Sequence, residues 1–317
     1  MNTYTNPVGI PSLAMGDPFV LQTENGYFLY GSTDTERGFE CWSSNDLVNW
    51  KYEGWILENN ENSWGESAFF APEVKAYRGK YYLSYSAQPR GCSQHRMLMA
   101  LACSDSPTGP FETLYAPWFD FGYSAIDSHI FEDDGALYLY YSRNGIQDGY
   151  AFGVIYGVRL DSDSLRVSGE PVKLLEASQE WERVNWSKNR CNEGAFVFRA
   201  GDKLYMTYSA NDTSFPTYGV GYATATSPLG TWTKAGENPI LKSDIEMGVS
   251  GPGHNSLVLS PDGSEMFIVY HAHRDPSRPC WDRVVNIDRL LLDEEGKMSV
   301  IGPTRTPQAM PSSNARH

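Results

Sequence analysis

Asn192-Glu193-Gly194-Ala195-Phe196-Val197-Phe198-Arg199, followed after Ala200 by Gly201-Asp202-Lys203-Leu204-Tyr205-Met206-Thr207-Tyr208-Ser209-Ala210, reads as two strands joined by a tight turn. β-Branched and aromatic residues fill both arms, and Gly201-Asp202 supplies the turn. An acid stands at the opening of the first arm. The chain repeats this unit four more times. Asp17-Pro18-Phe19-Val20 leads through Asn25-Gly26 to Tyr27-Phe28-Leu29-Tyr30, and Pro72-Glu73-Val74 leads through Arg78-Gly79 to Tyr81-Tyr82-Leu83-Ser84-Tyr85. Ile126-Asp127-Ser128-His129 leads through Asp134-Gly135 to Leu137-Tyr138-Leu139-Tyr140, and Gly253-His254-Asn255-Ser256 leads through Asp262-Gly263 to Met266-Phe267-Ile268-Val269.

The opening polar residues are spaced 56, 54, 66 and 61 apart. Each step holds four strands and their turns. Ala102-Cys103-Ser104-Asp105-Ser106-Pro107 is echoed by Ala223-Thr224-Ala225-Thr226-Ser227-Pro228, 121 residues on, a distance of two steps. Radial repetition of four-stranded antiparallel units is a β-propeller. The sequence therefore predicts an all-β chain, a single five-bladed propeller domain over residues 1–317. The first strand of a blade lines the central axis, so Asp17, Glu73, Asp127, Glu193 and His254 are expected at one repeated position around one hollow.

Composition narrows the partners. Lys and Arg number 25 against 39 Asp and Glu, a formal charge of -14, which argues against nucleic acid and against polyanionic substrates. A neutral polysaccharide or oligosaccharide suits it better. Aromatics make up 14% of the chain. They cluster in the loops before the inner strands, where Phe70, Trp118 and Trp186 are expected to stack on a sugar. The five cysteines, 41, 92, 103, 191 and 280, have no CxxC spacing and read as reduced thiols. No run reaches the roughly 18 apolar residues of a membrane span. No basic segment followed by an apolar run opens the sequence, so cytoplasmic residence and export stay equally open.

Glycoside hydrolysis needs two carboxyl groups in different protonation states, one activating water and one protonating the leaving oxygen. Burial and like charge separate such groups. Gly16-Asp17-Pro18, Ala71-Pro72-Glu73-Val74, Ile126-Asp127-Ser128, Asn192-Glu193-Gly194 and Gly251-Pro252-Gly253-His254-Asn255 together resemble glycoside hydrolase family 43, over roughly residues 15–300. The resemblance implies a five-bladed propeller and an inverting mechanism. It implies Asp17 as general base, Glu193 as general acid and Asp127 as the residue tuning the acid. It also implies Glu73 in a supporting place, Arg283 reaching the terminal sugar, and His254 at the floor of the funnel. In some members that histidine helps hold a calcium ion through water; no other cofactor is expected. Arg274-Asp275-Pro276 and Glu40-Cys41 resemble short motifs of fructan-cleaving propellers, but they stand in the reverse order.

Family 43 includes arabinofuranosidases, xylosidases, endo-arabinanases and galactofuranose-acting enzymes. Long aromatic loops walling the funnel favour exo action. The sequence given has no β-sandwich after the repeats, unlike many xylosidases of the family. Release of terminal α-L-arabinofuranose from plant polysaccharide is the favoured expectation. β-D-Xylosidase and β-D-galactofuranosidase are the alternatives, and a sugar-binding propeller without catalysis is the rival of a different class.

Overall fold

The computed structural model describes residues 2–9, 13–92 and 96–313. Strands dominate, and a short 3₁₀ turn at Glu180–Arg183 interrupts them. β1 (Thr3–Tyr4) is followed by a first four-stranded sheet of β2 (Gly16–Thr23), β3 (Gly26–Ser32), β4 (Gly38–Ser44) and β5 (Lys51–Glu58). The second holds β6 (Gly65–Tyr77), β7 (Lys80–Pro89), β8 (Leu98–Ser104) and β9 (Glu112–Tyr115). The third holds β10 (Ser124–Asp133), β11 (Ala136–Gln147), β12 (Tyr150–Leu160) and β13 (Val172–Glu176). The fourth holds β14 (Asn189–Ala200), β15 (Lys203–Ala210), β16 (Gly219–Ala225) and β17 (Thr233–Lys234). The fifth holds β18 (Gly253–Leu259), β19 (Met266–His273), β20 (Arg283–Leu292) and β21 (Met298–Ile301), and β22 (Gln308–Ala309) pairs antiparallel with β1.

Within each sheet the strands are antiparallel meanders, as hairpin turns such as Asn25-Gly26 and Asp134-Gly135 require. The third and fourth sheets are also joined at their edges by a short parallel pairing of residues 151–153 with 189–191.

Apolar side chains are sandwiched between successive sheets. Phe39 and Ile56 meet Phe69 and Tyr85, Met99 and Leu101 meet Leu139 and Tyr141, and Ile155 meets Val197 and Met206. Tyr222 meets Ile268 and Tyr270, and Phe267 and Val269 of the fifth sheet meet Leu29 and Trp42 of the first. Each such side chain, when fully buried, contributes roughly 1.5–3 kcal/mol.

The first strands share one irregularity. The register with the second strand slips between Gly16 and Phe19, Phe70 and Glu73, Ile126 and His129, Glu193 and Phe196, and Gly253 and Ser256. The residue after the first of each pair is left-handed: Asp17, Ala71, Asp127, Gly194 and His254 have φ of 52°, 48°, 58°, 61° and 45°. A bulge of this kind re-aims one side chain out of the pleat. It also corrects the expected repeat position. Asp17, Asp127 and His254 are equivalent, but Glu193 stands one residue earlier and Glu73 two residues later than that position.

Candidate active site

The amide of each bulged residue reaches across to the preceding sheet. Ala71 N–H donates to Ser32 Oγ at 2.9 Å, Asp127 N–H to Ser86 Oγ at 3.2 Å, and His254 N–H to Ser209 Oγ at 2.7 Å. Asp17 N–H finds its acceptor in the fifth sheet, His271 Nδ1, at 3.1 Å. Ser32, Ser86, Ser209 and His271 occupy the same register position on their second strands. Ser142 is the fifth member of that set, but its hydroxyl has no partner, and Gly194 N–H turns to the Asp127 carboxylate instead. That is the joint already held by the parallel pairing, so the amide is free to serve a side chain.

A cavity of about 240 Å³ opens where the bulges meet, lined in part by Asp17, Asp127, Glu193, His254 and Arg283. It is smaller than drug-sized ligand sites, which typically run ~300–1,000 Å³. One sugar ring fits better than a run of them. Phe70, Ile126, Met97 and Trp281 give it apolar walls. Phe70 and Trp281 meet with ring centroids 5.9 Å apart.

Asp17 is gripped from several sides. Arg283 Nη1 donates to Oδ1 at 2.9 Å, Ser32 Oγ donates to Oδ2 at 2.6 Å, and His254 Nδ1 stands 3.3 Å from Oδ1. Burial alone would raise this carboxyl, but Arg283 and then His254 outweigh it and hold it well below the usual carboxylate range. Among the described residues Asp127 has no such cation within pairing distance. Burial above all, with the charges of Glu193 and Asp17, pushes it up to about 7 against the pull of His254. Its Oδ2 is buried without a hydrogen bond. Glu193 is also raised, by burial against the pull of His254, Tyr218 and Cys191. Tyr218 Oη donates to Glu193 Oε1 at 2.8 Å, and Cys191 Sγ donates to Oε2 at 3.2 Å. Burial disfavours charge on His254, yet Asp17 and Asp127 raise it to about 9. His271, buried beside Arg283, is driven well below the ordinary imidazole range, which keeps Nδ1 an acceptor for the Asp17 amide.

Two glycines make this packing feasible. A Cβ on Gly16 would lie 2.0 Å from the Arg283 guanidinium, and one on Gly253 would lie 2.2 Å from the Tyr218 ring. Both hold the same register position, one residue before the bulge. Behind Glu193, Asn192 is fixed by a largely buried ion pair. Lys234 Nζ lies 2.5 Å from Glu182 Oε1 and donates to Asn192 Oδ1 at 2.7 Å.

The model of the family described as "Glycosyl hydrolases family 43" matches residues 4–298. The chain belongs to this family. Within glycosyl hydrolase family 43 it aligns with the crystal structure of a thermostable family-43 glycoside hydrolase at 46% identity and a TM-score of 0.93, covering 98% of this chain and 100% of that one. It is 25% identical to an extracellular exo-α-(1→5)-L-arabinofuranosidase of Streptomyces avermitilis over 85% of this chain. It spans only 56% of that relative's length. It is 28% identical to the β-D-galactofuranosidase xynD of Aspergillus niger, over 88% of this chain and 78% of that protein.

Against this family frame, the expected residues divide. Asp17, Asp127, Glu193, Phe70, His254 and Arg283 line the one cavity. Glu73 does not; it lies behind, its Oε2 2.7 Å from His129 Nδ1. Trp118 is 3% exposed in the core between the second and third sheets, its indole N–H donated to Leu165 O at 2.8 Å. Trp186 lines a separate cleft beside Arg190. Trp118 and Trp186 are thus placed away from a sugar in the cavity: nearness in sequence to an inner strand does not fix which way a loop residue turns. His254 is a poor partner for a calcium ion, since its ring is cationic, paired with Asp17 and on the same carboxylate as Arg283. Among the described residues no group of three His, Cys, Asp or Glu side chains is disposed to hold a metal. Sequence reading missed Tyr218, Thr213, Asn144 and Trp281. Thr213, Tyr218 and Trp281 come from loops after second strands and Asn144 from the end of a second strand, where no repeat signal points inward. Trp281 stands two residues before Arg283, and that spacing was the one available clue.

Proposed function

We propose that the five sheets are the blades of one closed propeller formed by residues 1–317, and that its central cavity is the active site of an inverting exo-glycosidase. The proposed substrate is a terminal α-L-arabinofuranose on a plant polysaccharide side chain or oligosaccharide. Closure is supported by the packing of the fifth sheet on the first and by the amide of Asp17 bonded to His271. The observation that carries the catalytic reading is the electrostatic split within one cavity: Asp17 is held ionised, while Asp127 and Glu193 are pushed toward the protonated form.

In the step this supports, Asp17 takes a proton from water as that water forms a bond to the anomeric carbon. The bond from that carbon to the leaving oxygen breaks, and Glu193 gives the leaving oxygen its proton. Asp127 lines the same cavity as Glu193, and once either carboxyl ionises its charge disfavours ionisation of the other. Arg283 and His254 keep Asp17 in place, and Phe70 and Trp281 offer faces for the sugar ring. The volume of about 240 Å³ supports exo action. β-D-Galactofuranosidase is the second reading, favoured by the similarity to the Aspergillus niger enzyme of that name. β-D-Xylosidase is the third.

Hydrolysis of p-nitrophenyl α-L-arabinofuranoside, β-D-galactofuranoside and β-D-xyloside, assayed in parallel, tests the proposal. The arabinofuranoside should be turned over fastest, and NMR should show the anomeric configuration inverted. A faster galactofuranoside moves the assignment to the second reading. Sugar binding without release from any aryl glycoside or polysaccharide would make the chain a binder.

A further inference from the structure

A second cavity, of about 420 Å³, lies on the outer side of the joint between the third and fourth sheets. Two of its arginines are sequence neighbours of residues in the catalytic cavity. Arg143 precedes Asn144, which lines that cavity, and Arg190 precedes Cys191, which touches Glu193. Successive residues of a strand face opposite ways, so the two cavities back onto each other across β11 and β14.

The arginines are unusual for this chain. Acids outnumber bases 39 to 25, yet neither Arg143 nor Arg190 has a carboxylate within ion-pair distance among the described residues. Arg143 Nε is buried without a hydrogen bond, and its guanidinium lies 4.6 Å from the Tyr123 ring centroid. Arg190 sits 3.6 Å from the Tyr150 centroid and 4.5 Å from that of Trp186, and its Nε donates to Trp186 O. Lys173 adds a third cation, with Glu176 at 3.0 Å as its partner and the one acid of the cleft. Aromatic faces keep the guanidinium planes in place without neutralising them. The planar forks are left open toward the cleft for a bidentate acceptor.

We propose that this cleft binds the carboxylate of a uronic-acid unit on the polysaccharide whose terminal sugar enters the catalytic cavity. Arg143 and Arg190 take the carboxylate. One uronate suits the site; a run of them would meet the field of a chain with net charge -14. The assignment rests on the glycosidase reading only for the identity of the neighbouring cavity.

Calorimetric titration with a glucuronate-substituted xylotetraose, and with the same oligosaccharide after carboxyl reduction, tests it. The charged ligand should bind about tenfold more tightly at low ionic strength, with the advantage shrinking in roughly 0.5 M salt. Arg143→Gln with Arg190→Gln should abolish the difference and leave aryl arabinofuranoside turnover within about twofold, because that substrate needs the catalytic cavity alone. Lys173→Glu, at an exposed position, should weaken the preference without disturbing the core. Equal binding of the two oligosaccharides, no binding of either, or a preference that survives both sets of variants would overturn the proposal. A preserved preference in a chain that cleaves no aryl glycoside would leave the cleft standing and remove the catalytic reading.

Discussion

Asp17 and Asp127 occupy the same register position on strands of two sheets, yet their carboxyls are driven in opposite directions. The difference is local: Arg283 and His254 touch Asp17, whereas Asp127 has Glu193 for company and an oxygen without a partner. Asp17→Asn and Glu193→Gln should each lower kcat/KM by at least about a thousandfold while leaving the melting temperature near wild type, as expected for groups that move protons. The falling limb of the kcat/KM profile should lie above the ordinary carboxylate range, because burial raises the Glu193 carboxyl. The rising limb should fall below the ordinary carboxylate range, because Asp17 ionises early. Asp127 also costs stability. A carboxyl whose folded pKa lies above its unfolded value costs nothing below about pH 4, progressively more up to the folded value, and a constant amount above it. Asp127→Asn should therefore be inactive yet more heat-resistant, by a margin that grows from about pH 4 to about 7 in calorimetric scans.

On the scale of the strand, the bulge decides what a sequence repeat means. The five hairpins and their order were legible, because Asn-Gly, Asp-Gly and alternating aromatics mark them plainly. The offset of Glu193 and Glu73 was not. Both are acids at the head of an inner strand, and only the backbone register shows that one precedes the left-handed residue and the other follows it. Hence Glu193 enters the cavity while Glu73 goes behind it to His129. Trp118 was misplaced for a related reason: aromatic content signals burial as readily as stacking. Gly16 tests the strand directly. A Cβ there would collide with the Arg283 guanidinium, so Gly16→Ala should free Asp17 from its cation. The expected result is a rising pH limb moved toward the ordinary carboxylate value with the fold retained, read from the kcat/KM profile. Ser209→Ala would leave the buried His254 amide without an acceptor and should cost about 1–3 kcal/mol in denaturant unfolding.

Over the whole molecule, one motif of attachment recurs from sheet to sheet, and its two departures fall at informative places. A histidine replaces serine where the fifth sheet meets the first, and the serine is idle where a parallel strand pair does the fastening. Neither departure could be read from the sequence, since a serine in a strand gives no sign of its partner. The buried Glu182–Lys234 pair was equally silent, its members lying 52 residues apart. Lys234→Met should cost roughly 3–5 kcal/mol by stranding Glu182, and adding Glu182→Leu should recover much of it, as thermal unfolding of both variants will show.

The pairing of Thr3–Tyr4 with Gln308–Ala309 sets the first and last strands of the described residues side by side. A short linker could therefore join them, and the gene could instead start at an exposed hairpin such as Asp134-Gly135. The permuted protein would contain the same sheets in a rotated order. Nothing in the architecture marks one of the five sheets as the first.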